Sequence, residues 1–136
     1  MKRLNVYIWT LNFCMAFFSV IIPVFNKARF LANTLNSVLN QTFTDFEILL
    51  VDDGSTDRSS EIIARFTDAR IRKFYQANQG VSAARNWGIQ EAKAHYLAFL
   101  DADDVWKPDH LATMFHYCNL YPAESLFNTA KTIDTG

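Results

Sequence analysis

The chain has 136 residues, of which 50% are hydrophobic and 20% charged, with only four glycines and three prolines. This length allows one domain with one hydrophobic core, and the composition excludes bulk disorder. The formal net charge of -1, from 13 basic and 14 acidic side chains, excludes a global electrostatic field that would recruit nucleic acid.

The N-terminal residues resemble a targeting segment only in part. A basic pair, Lys2 and Arg3, precedes a largely apolar run over residues 4–25, which is the pattern of a signal peptide or membrane segment. Two asparagines interrupt the run, and its last residues are needed as a strand of the fold. We therefore interpret residues 1–16 as an extension and residues 17–136 as a single domain, with a membrane anchor as the alternative.

From residue 17 onward, apolar runs alternate with segments of helical periodicity. This alternation is typical of consecutive βαβ units, and it predicts an α/β fold with a mostly parallel sheet and helices on both faces. The first run, at residues 18–22, is continuous rather than alternating, as expected for a strand that is covered on both sides. Strands are predicted at residues 18–22, 46–51, 71–75, 96–100 and 125–129, and helices at residues 30–39, 62–66, 81–94 and from residue 108 onward.

Four residues predict where these elements end or begin. Pro23 is expected to stop the first strand, because proline lacks the N–H of a ladder hydrogen bond. Ser55 or Thr56 is expected to cap the second helix. A proline also suits the first position of a helix, so the fourth helix is expected to begin at Pro108.

Polar side chains follow three of the predicted strands. Asn26 follows the first strand, Asp52 and Asp53 follow the second, and Asp101 and Asp103 follow the fourth. In an open parallel sheet, ligands bind beyond the carboxyl ends of the strands, near the point where the strand order reverses. The convergence of these carboxylates and amides on one edge of the sheet is the main functional signal in the sequence.

The loop after the fourth strand is strongly acidic. Residues 101–109 contain four aspartates and one lysine, a local net charge of -3. Asp101 and Asp103 are separated by one residue, so their carboxylates can project toward one point. A divalent cation at that point would relieve the repulsion between them and would leave coordination positions free for phosphate oxygens. The alternative is that these acids cap the following helix, as we expect of Asp109.

Two interpretations remain open for the Asp52-Asp53 pair and two for Arg85. An aspartate of the pair can accept a hydrogen bond from a base imide or a sugar hydroxyl, or the pair can serve only the turn that an Asp-Gly pair forms. Arg85, early in the third helix, can reach a phosphate or ribose, or it can pair with a surface acid.

Four motifs in this order carry a family resemblance: SVIIPVFN at residues 19–26, VDDGSTD at residues 51–57, GVSAARN at residues 80–86 and FLDADD at residues 99–104. Together they resemble glycosyltransferase family 2. The resemblance extends over residues 17–121. It implies the GT-A fold, a Rossmann-like fold of nucleotide-diphospho-sugar transferases.

The resemblance also implies roles for individual residues. Pro23 and Phe25 would line the nucleobase pocket, Asp53 would hydrogen-bond the base, and Arg85 would help to hold the nucleotide. Asp103 would be the direct ligand of Mn²⁺ or Mg²⁺ bridging the diphosphate, with Asp101 near the ribose or the metal. The predicted nucleotide-binding residues are Pro23, Phe25, Asn26, Asp53, Arg85 and Asp101, and the predicted metal ligands are Asp103 and Asp101.

The implied function is sugar transfer with inversion. The donor would be a nucleotide-diphospho-sugar, usually a UDP-sugar, and the acceptor a saccharide or a lipid-linked molecule in cell-surface polysaccharide biosynthesis. The implied location is the cytoplasm, with peripheral association at the inner face of the membrane. Family members continue further, so we expect the fold to be truncated before the acceptor half and the catalytic base to lie beyond Gly136. The alternative is a non-catalytic fragment that binds nucleotide sugars.

Two other families match parts of the sequence. A haloacid-dehalogenase-like phosphatase shares a strand followed by Asp-x-Asp, but its motif normally opens the domain, whereas about a hundred residues precede Asp101. A receiver domain is suggested by Asp52 and Asp53, but it would need paired aspartates after the first strand and a lysine after the fifth. We rank both below the glycosyltransferase.

Overall fold

The computed structural model describes residues 15–122. The predicted extension up to residue 14 and the predicted strand at residues 125–129 lie outside the described residues. In chain order the elements are β1 (Phe18–Val24), α1 (Ala28–Leu39), β2 (Phe46–Asp53), α2 (Ser59–Arg65), β3 (Ile71–Gln76), α3 (Val81–Glu91), β4 (Tyr96–Phe99) and α4 (His110–Leu120).

The strands form one parallel sheet in the order β3-β2-β1-β4. In the central register, Ile21 lies between Leu49 of β2 and Phe99 of β4. The chain proceeds from β1 through β2 to β3 and then returns to the other side of β1, so the strand order reverses between β1 and β4. This arrangement confirms the predicted α/β fold and puts the topological switch point at the end of β1.

Helices cover both faces of the sheet. On one face, α1, α2 and α4 pack on alternate residues of β1 and β2, such as Val20, Ile22 and Leu50. On the other face, α3 packs against β1 and β2. Both faces of β1 are buried, which explains its uninterrupted apolar sequence.

Helix α3 lies unusually close to β1. A Cβ added at Gly88 would come within 2.5 Å of Ile21 Cγ2, so a glycine is required at this contact. On the same side of the sheet, α3 covers β4 less fully than β1, since Leu97 and Phe99 of β4 are exposed. The helix therefore supports the centre of the sheet and leaves β4 open.

Strand β1 continues past the expected stop. Pro23 is buried inside β1, opposite Val51 of β2, so the prediction that it stops the strand was wrong, and β1 ends two residues later than predicted. Backbone groups of residues two apart point to the same side of a strand, and the Ile21 carbonyl accepts from the Leu100 amide next to β4. The missing N–H of Pro23 therefore faces the side where the β1–β4 ladder has already ended, and no ladder bond is lost.

Two predictions about the residues that begin a helix were wrong. Helix α4 begins at His110 with Asp109 at its N-cap, rather than at Pro108. Neither Ser55 nor Thr56 caps α2, whose N-cap is Arg58. Within residues 15–122, no helix combines the length and apolarity needed to cross a bilayer.

Candidate functional site

The loop after β1 is fastened to the loop after β2 by Asn26. Asn26 adopts a left-handed backbone with a φ of 52°, a conformation that asparagine tolerates better than most residues. Its Oδ1 accepts hydrogen bonds from the backbone N–H of Thr56 at 2.8 Å and of Asp57 at 3.2 Å. In return, the Asn26 amide donates to Ser55 Oγ at 3.1 Å. The predicted nucleotide-binding role of Asn26 stays a prediction, since the structure shows a clamp between two loops.

The start of α1 is hydrogen-bonded to side chains that follow β2. The Lys27 amide donates to Ser59 Oγ at 2.9 Å, and the Ala28 amide donates to Asp57 Oδ2 at 3.0 Å. These N–H groups would otherwise be free to bind a phosphate. The side chains of Asp57 and of Ser59, the first residue of α2, already satisfy these two N–H groups.

Asp52 organises the turn after β2. It is buried, and its carboxylate accepts from the Ser55 amide at 2.9 Å and from Ser60 Oγ at 2.5 Å. These contacts are turn chemistry, one of the two interpretations of the Asp-Asp pair.

Asp53 connects the end of β2 to the start of α3. It is 2% exposed, and it accepts from Gln76 Nε2 at 2.6 Å and from the amides of Gln79 and Gly80 at 2.8 Å each. Burial raises the pKa of Asp53, but the three hydrogen bonds outweigh it and hold the pKa below its usual value. Asp53 is therefore a buried carboxylate, and its bond to a base stays a prediction.

Arg85 of α3 pairs with the first aspartate of the acidic loop. Its Nη2 donates to Asp101 Oδ1 at 2.6 Å, and the two side chains are 37% and 53% exposed. The Nε of Arg85 is buried and has no hydrogen-bond partner among residues 15–122. Beside this pair, a groove of about 410 Å³ runs between α3 and β4, lined by Ser82, Asn86, Ile89 and Phe99 as well as Arg85.

Lys27 pairs with the second aspartate of the same loop. Its Nζ lies 2.7 Å from Asp103 Oδ2, and the side chains are 37% and 39% exposed. Lys27 follows β1 and Asp103 follows β4, so this ion pair spans the topological switch point. Sequence reasoning missed Lys27, although its position directly after Asn26 was a usable signal.

Contacts join the four motifs in a closed ring at the carboxyl edge, by which we mean the edge where the strands end. Asn26 joins the first motif to the second, and Asp53 joins the second to Gly80 of the third. Arg85 joins the third motif to Asp101 of the fourth. Lys27, directly after the first motif, joins Asp103 of the fourth motif and closes the ring. The predicted convergence of these loops is therefore observed.

The remaining predicted residues differ in accessibility. Phe25, at the end of β1, is 45% exposed and can meet a planar ligand, whereas Pro23 is buried and can line a pocket only through its backbone. Trp106, within the acidic loop, packs against the hydrophobic core and stacks on His110 with ring centroids 4.3 Å apart. Its position is that of a packing residue.

The acidic loop offers two exposed carboxylates as oxygen ligands. Among residues 15–122, no group of three or more histidine, cysteine or acidic side chains is placed to hold a metal ion. Mg²⁺ in nucleotide sites is bound by one or two carboxylates together with phosphate oxygens and water. Asp101 and Asp103 are exposed carboxylates of this kind, so they fit an ion completed by a diphosphate, and their role as ligands stays a prediction.

The chain belongs to the family whose sequence profile is described as Glycosyl transferase family 2, which matches residues 19–126. The match confirms the family resemblance and excludes the phosphatase and receiver interpretations. Among curated relatives, an uncharacterized glycosyltransferase of Nostoc is 50% identical over 96 residues, which cover 68% of this chain and 30% of the relative. The uncharacterized glycosyltransferase EpsJ of Bacillus subtilis is 48% identical over 88 residues, covering 63% and 26%. The chain thus spans less than a third of the length of these relatives.

Solved structures show the same fold. The S. aureus TarS 1-349 structure in complex with UDP-GlcNAc superposes with a TM-score of 0.74 at 27% identity, covering 78% of this chain and 32% of TarS 1-349. A mannosyltransferase of Pyrobaculum calidifontis, in complex with GDP-Man and Mn²⁺, superposes with a TM-score of 0.71 at 23% identity, covering 76% of this chain and 32% of that protein. The GT-A fold inferred from the motifs is therefore confirmed.

Proposed function

We propose that this chain provides the donor-binding part of an inverting glycosyltransferase that uses a nucleotide-diphospho-sugar, with a UDP-sugar as the donor. The observation that carries the proposal is the ring of contacts at the carboxyl edge. It brings two exposed aspartates and two cationic side chains to the switch point, where open α/β sheets bind nucleotides. The structures of TarS with UDP-GlcNAc and of the mannosyltransferase with GDP-Man support a nucleotide-sugar donor.

In this proposal the base lies at the end of β1. The exposed ring of Phe25 would stack on it, and the backbone around Pro23 would form the pocket wall. Asp53 keeps a second lone pair on the Oδ2 that accepts from Gly80, and this lone pair suits an imide N–H of uracil. Asn26 would contribute by holding the two loops together around the nucleotide.

In this proposal the diphosphate lies beside the two ion pairs of the acidic loop. Arg85 and Lys27 would contact phosphate oxygens, since guanidinium and ammonium groups both bind phosphate. Asp103, assisted by Asp101, would hold Mn²⁺ or Mg²⁺, and the ion would neutralise the charge of the diphosphate leaving group. We assign no catalytic base among residues 15–122.

The acceptor half of the proposal follows from the family resemblance alone. It comprises a saccharide or lipid-linked acceptor and a role in cell-surface polysaccharide biosynthesis. With a lipid-linked acceptor, the enzyme would work in the cytoplasm in peripheral association with the inner face of the membrane.

The proposal is tested by calorimetric titration with UDP, GDP and dTDP, with and without Mn²⁺. We expect binding that is strongest for UDP and that increases when Mn²⁺ is present. In Asp103→Ala the gain from Mn²⁺ should disappear, because the ion loses its direct protein ligand. Asp109→Ala is the matched control, since it removes an aspartate at the start of α4 instead.

The outcomes separate the two parts of the proposal. Equal Mn²⁺-dependent binding by Asp103→Ala would contradict the metal assignment. No binding of any nucleoside diphosphate by the wild-type protein would contradict the donor site itself. Hydrolysis of a UDP-sugar, measured as released UDP, would further distinguish an active enzyme from a fragment that only binds.

A further inference from the structure

Lys27 is held in place by more contacts than a surface lysine needs. Its backbone N–H is fixed by Ser59, and the residues on either side are bonded to Ser55 and Asp57. This clamp fixes the origin of the side chain at the start of α1. The side chain then crosses from β1 to β4 and places its ammonium 2.7 Å from Asp103 Oδ2.

We infer that the Lys27 ammonium is the resident counter-ion of Asp103, occupying the oxygen that binds the divalent cation until nucleotide and metal arrive together. The inference rests on the proposed function, because it takes Asp103 as the metal ligand. Lys27 is in this sense a positioning residue: it acts on the metal through Asp103.

The physical basis is competition for one carboxylate oxygen. An ammonium at hydrogen-bond distance uses a lone pair of Oδ2 and also repels a dication approaching the same point. Metal alone therefore has to displace Lys27 without any compensation. When a diphosphate is present, the displaced ammonium finds phosphate oxygens nearby, so Asp103 exchanges partners without leaving an unpaired charge.

The second ion pair of the loop differs in origin. Arg85 approaches Asp101 from α3, on the opposite face of the sheet, and its guanidinium offers several donors in a rigid fork. A lysine presents a single compact charge on a flexible stem, which is easier to transfer between partners. This difference points to Lys27 rather than Arg85 as the exchangeable cation.

The test is titration of the nucleotide-free protein with Mn²⁺ alone, with free Mn²⁺ measured by electron paramagnetic resonance. Lys27→Met should bind Mn²⁺ about fivefold more tightly than the wild type, the factor that corresponds to an exposed ion pair of up to about 1 kcal/mol. Lys27→Arg keeps the charge and should bind Mn²⁺ no more tightly than the wild type, because a guanidinium is the harder cation to displace.

Lys73→Met is the matched control. Lys73 lies on β3, where its Nζ approaches the Ala64 carbonyl, and its removal changes the net charge by the same amount. It should leave the Mn²⁺ affinity unchanged. The thermal unfolding midpoint of each variant shows that the fold is intact, as expected for a side chain that is 37% exposed.

Three results would overturn the inference: Mn²⁺ affinity of Lys27→Met no higher than that of the wild type, no measurable binding by Lys27→Met, or the same gain in Lys73→Met. Titration of the wild type with UDP and Mn²⁺ keeps the two proposals apart. Nucleotide binding without a Lys27→Met effect contradicts the counter-ion alone. Tighter Mn²⁺ binding by Lys27→Met without any nucleotide binding contradicts the donor site, whereas the competition between Lys27 and Mn²⁺ for Asp103 is still supported.

Discussion

The two edges of the sheet use charged residues in different ways. At the amino edge, where the strands begin, Glu47 accepts hydrogen bonds from Ser19 Oγ, from the Lys93 amide and from Arg72, and its side chain is only 13% exposed. Arg72 in turn bonds to both the side chain and the backbone carbonyl of Glu91. These charges tie the end of α3 to the starts of three strands.

At the carboxyl edge the charges are more open to water. The pairs Lys27–Asp103 and Arg85–Asp101 connect loops at distances of 2.7 Å and 2.6 Å, with every side chain at least 37% exposed. Exposed pairs contribute about 0–1 kcal/mol to stability, whereas breaking a buried network costs several. The comparison therefore assigns the amino edge to stability and leaves the carboxyl edge free to exchange partners with a ligand.

The largest expected effect is on the amino edge. Glu47→Ala should lower the free energy of unfolding by about 3 kcal/mol, because Arg72, Ser19 and the Lys93 amide lose an acceptor in a partly buried site. Asp101→Ala, the matched change at the carboxyl edge, should cost less than about 1 kcal/mol. Urea unfolding of both variants measures the difference, and equal losses would end the distinction between the edges.

A buried exception at the carboxyl edge sharpens the comparison. Asp53→Asn should lower the free energy of unfolding by about 2 kcal/mol, because an asparagine amide turns a donor toward groups that are themselves donors. Urea unfolding again provides the measurement. A variant as stable as the wild type would show that Asp53 is held for the ligand and adds nothing to the fold.

The loop clamp should have a smaller effect. Asn26→Gly retains the left-handed backbone but removes the acceptor for Thr56 and Asp57, so we expect a loss of about 1 kcal/mol. Nucleoside diphosphate affinity should fall as well, since the loop that carries Lys27 loses its anchor. Chemical denaturation and calorimetry on the same sample test both parts, and unchanged affinity would separate the clamp from the site.

The smallest effect concerns acid stability and the partly exposed pair of Asp68 and Arg70 just before β3. Hydrogen bonds from the Arg70 side chain and backbone lower the pKa of Asp68 from 3.8 to about 2. A depressed pKa stabilises the fold fully above the unfolded value of 3.8, and this stability is lost as the pH falls toward 2. Asp68→Asn should therefore show a shallower loss of stability between these values, with a difference at neutral pH below about 1 kcal/mol. A slope equal to that of the wild type would contradict the prediction.

The fold was largely predictable from the sequence because hydrophobic patterning determines it. Apolar runs marked β1, β2 and β4, whereas β3 also contains Arg72 and Lys73. The alternation of the strands with helical segments predicted the parallel sheet. Predicted element boundaries were wrong where the tertiary structure overrides a local sequence rule, such as the rule that proline ends a strand. Pro23 lies inside β1 because its missing N–H falls where β4 no longer pairs, and the sequence contains no signal of that register.

The sequence predicted the location of the candidate site but not the side chains that pair with its aspartates. Asp101 and Asp103 stood out because acids after a strand are conspicuous. The partners of these acids depend on packing: Arg85 comes from the opposite face of the sheet, and Lys27 comes from a loop 76 residues away in sequence. Periodicity and spacing describe neighbours along the chain, so contacts of this range lay beyond them.

Pro23 has one more consequence for the crevice between β1 and β4. The last rung between these strands joins the Leu100 amide to the Ile21 carbonyl, and the next would need an N–H at residue 23 to reach the Leu100 carbonyl. An imino acid forbids that rung permanently, whatever the side chains around it do. The β1–β4 ladder therefore cannot gain this hydrogen bond, and the last residues of β1 pair with β2 alone.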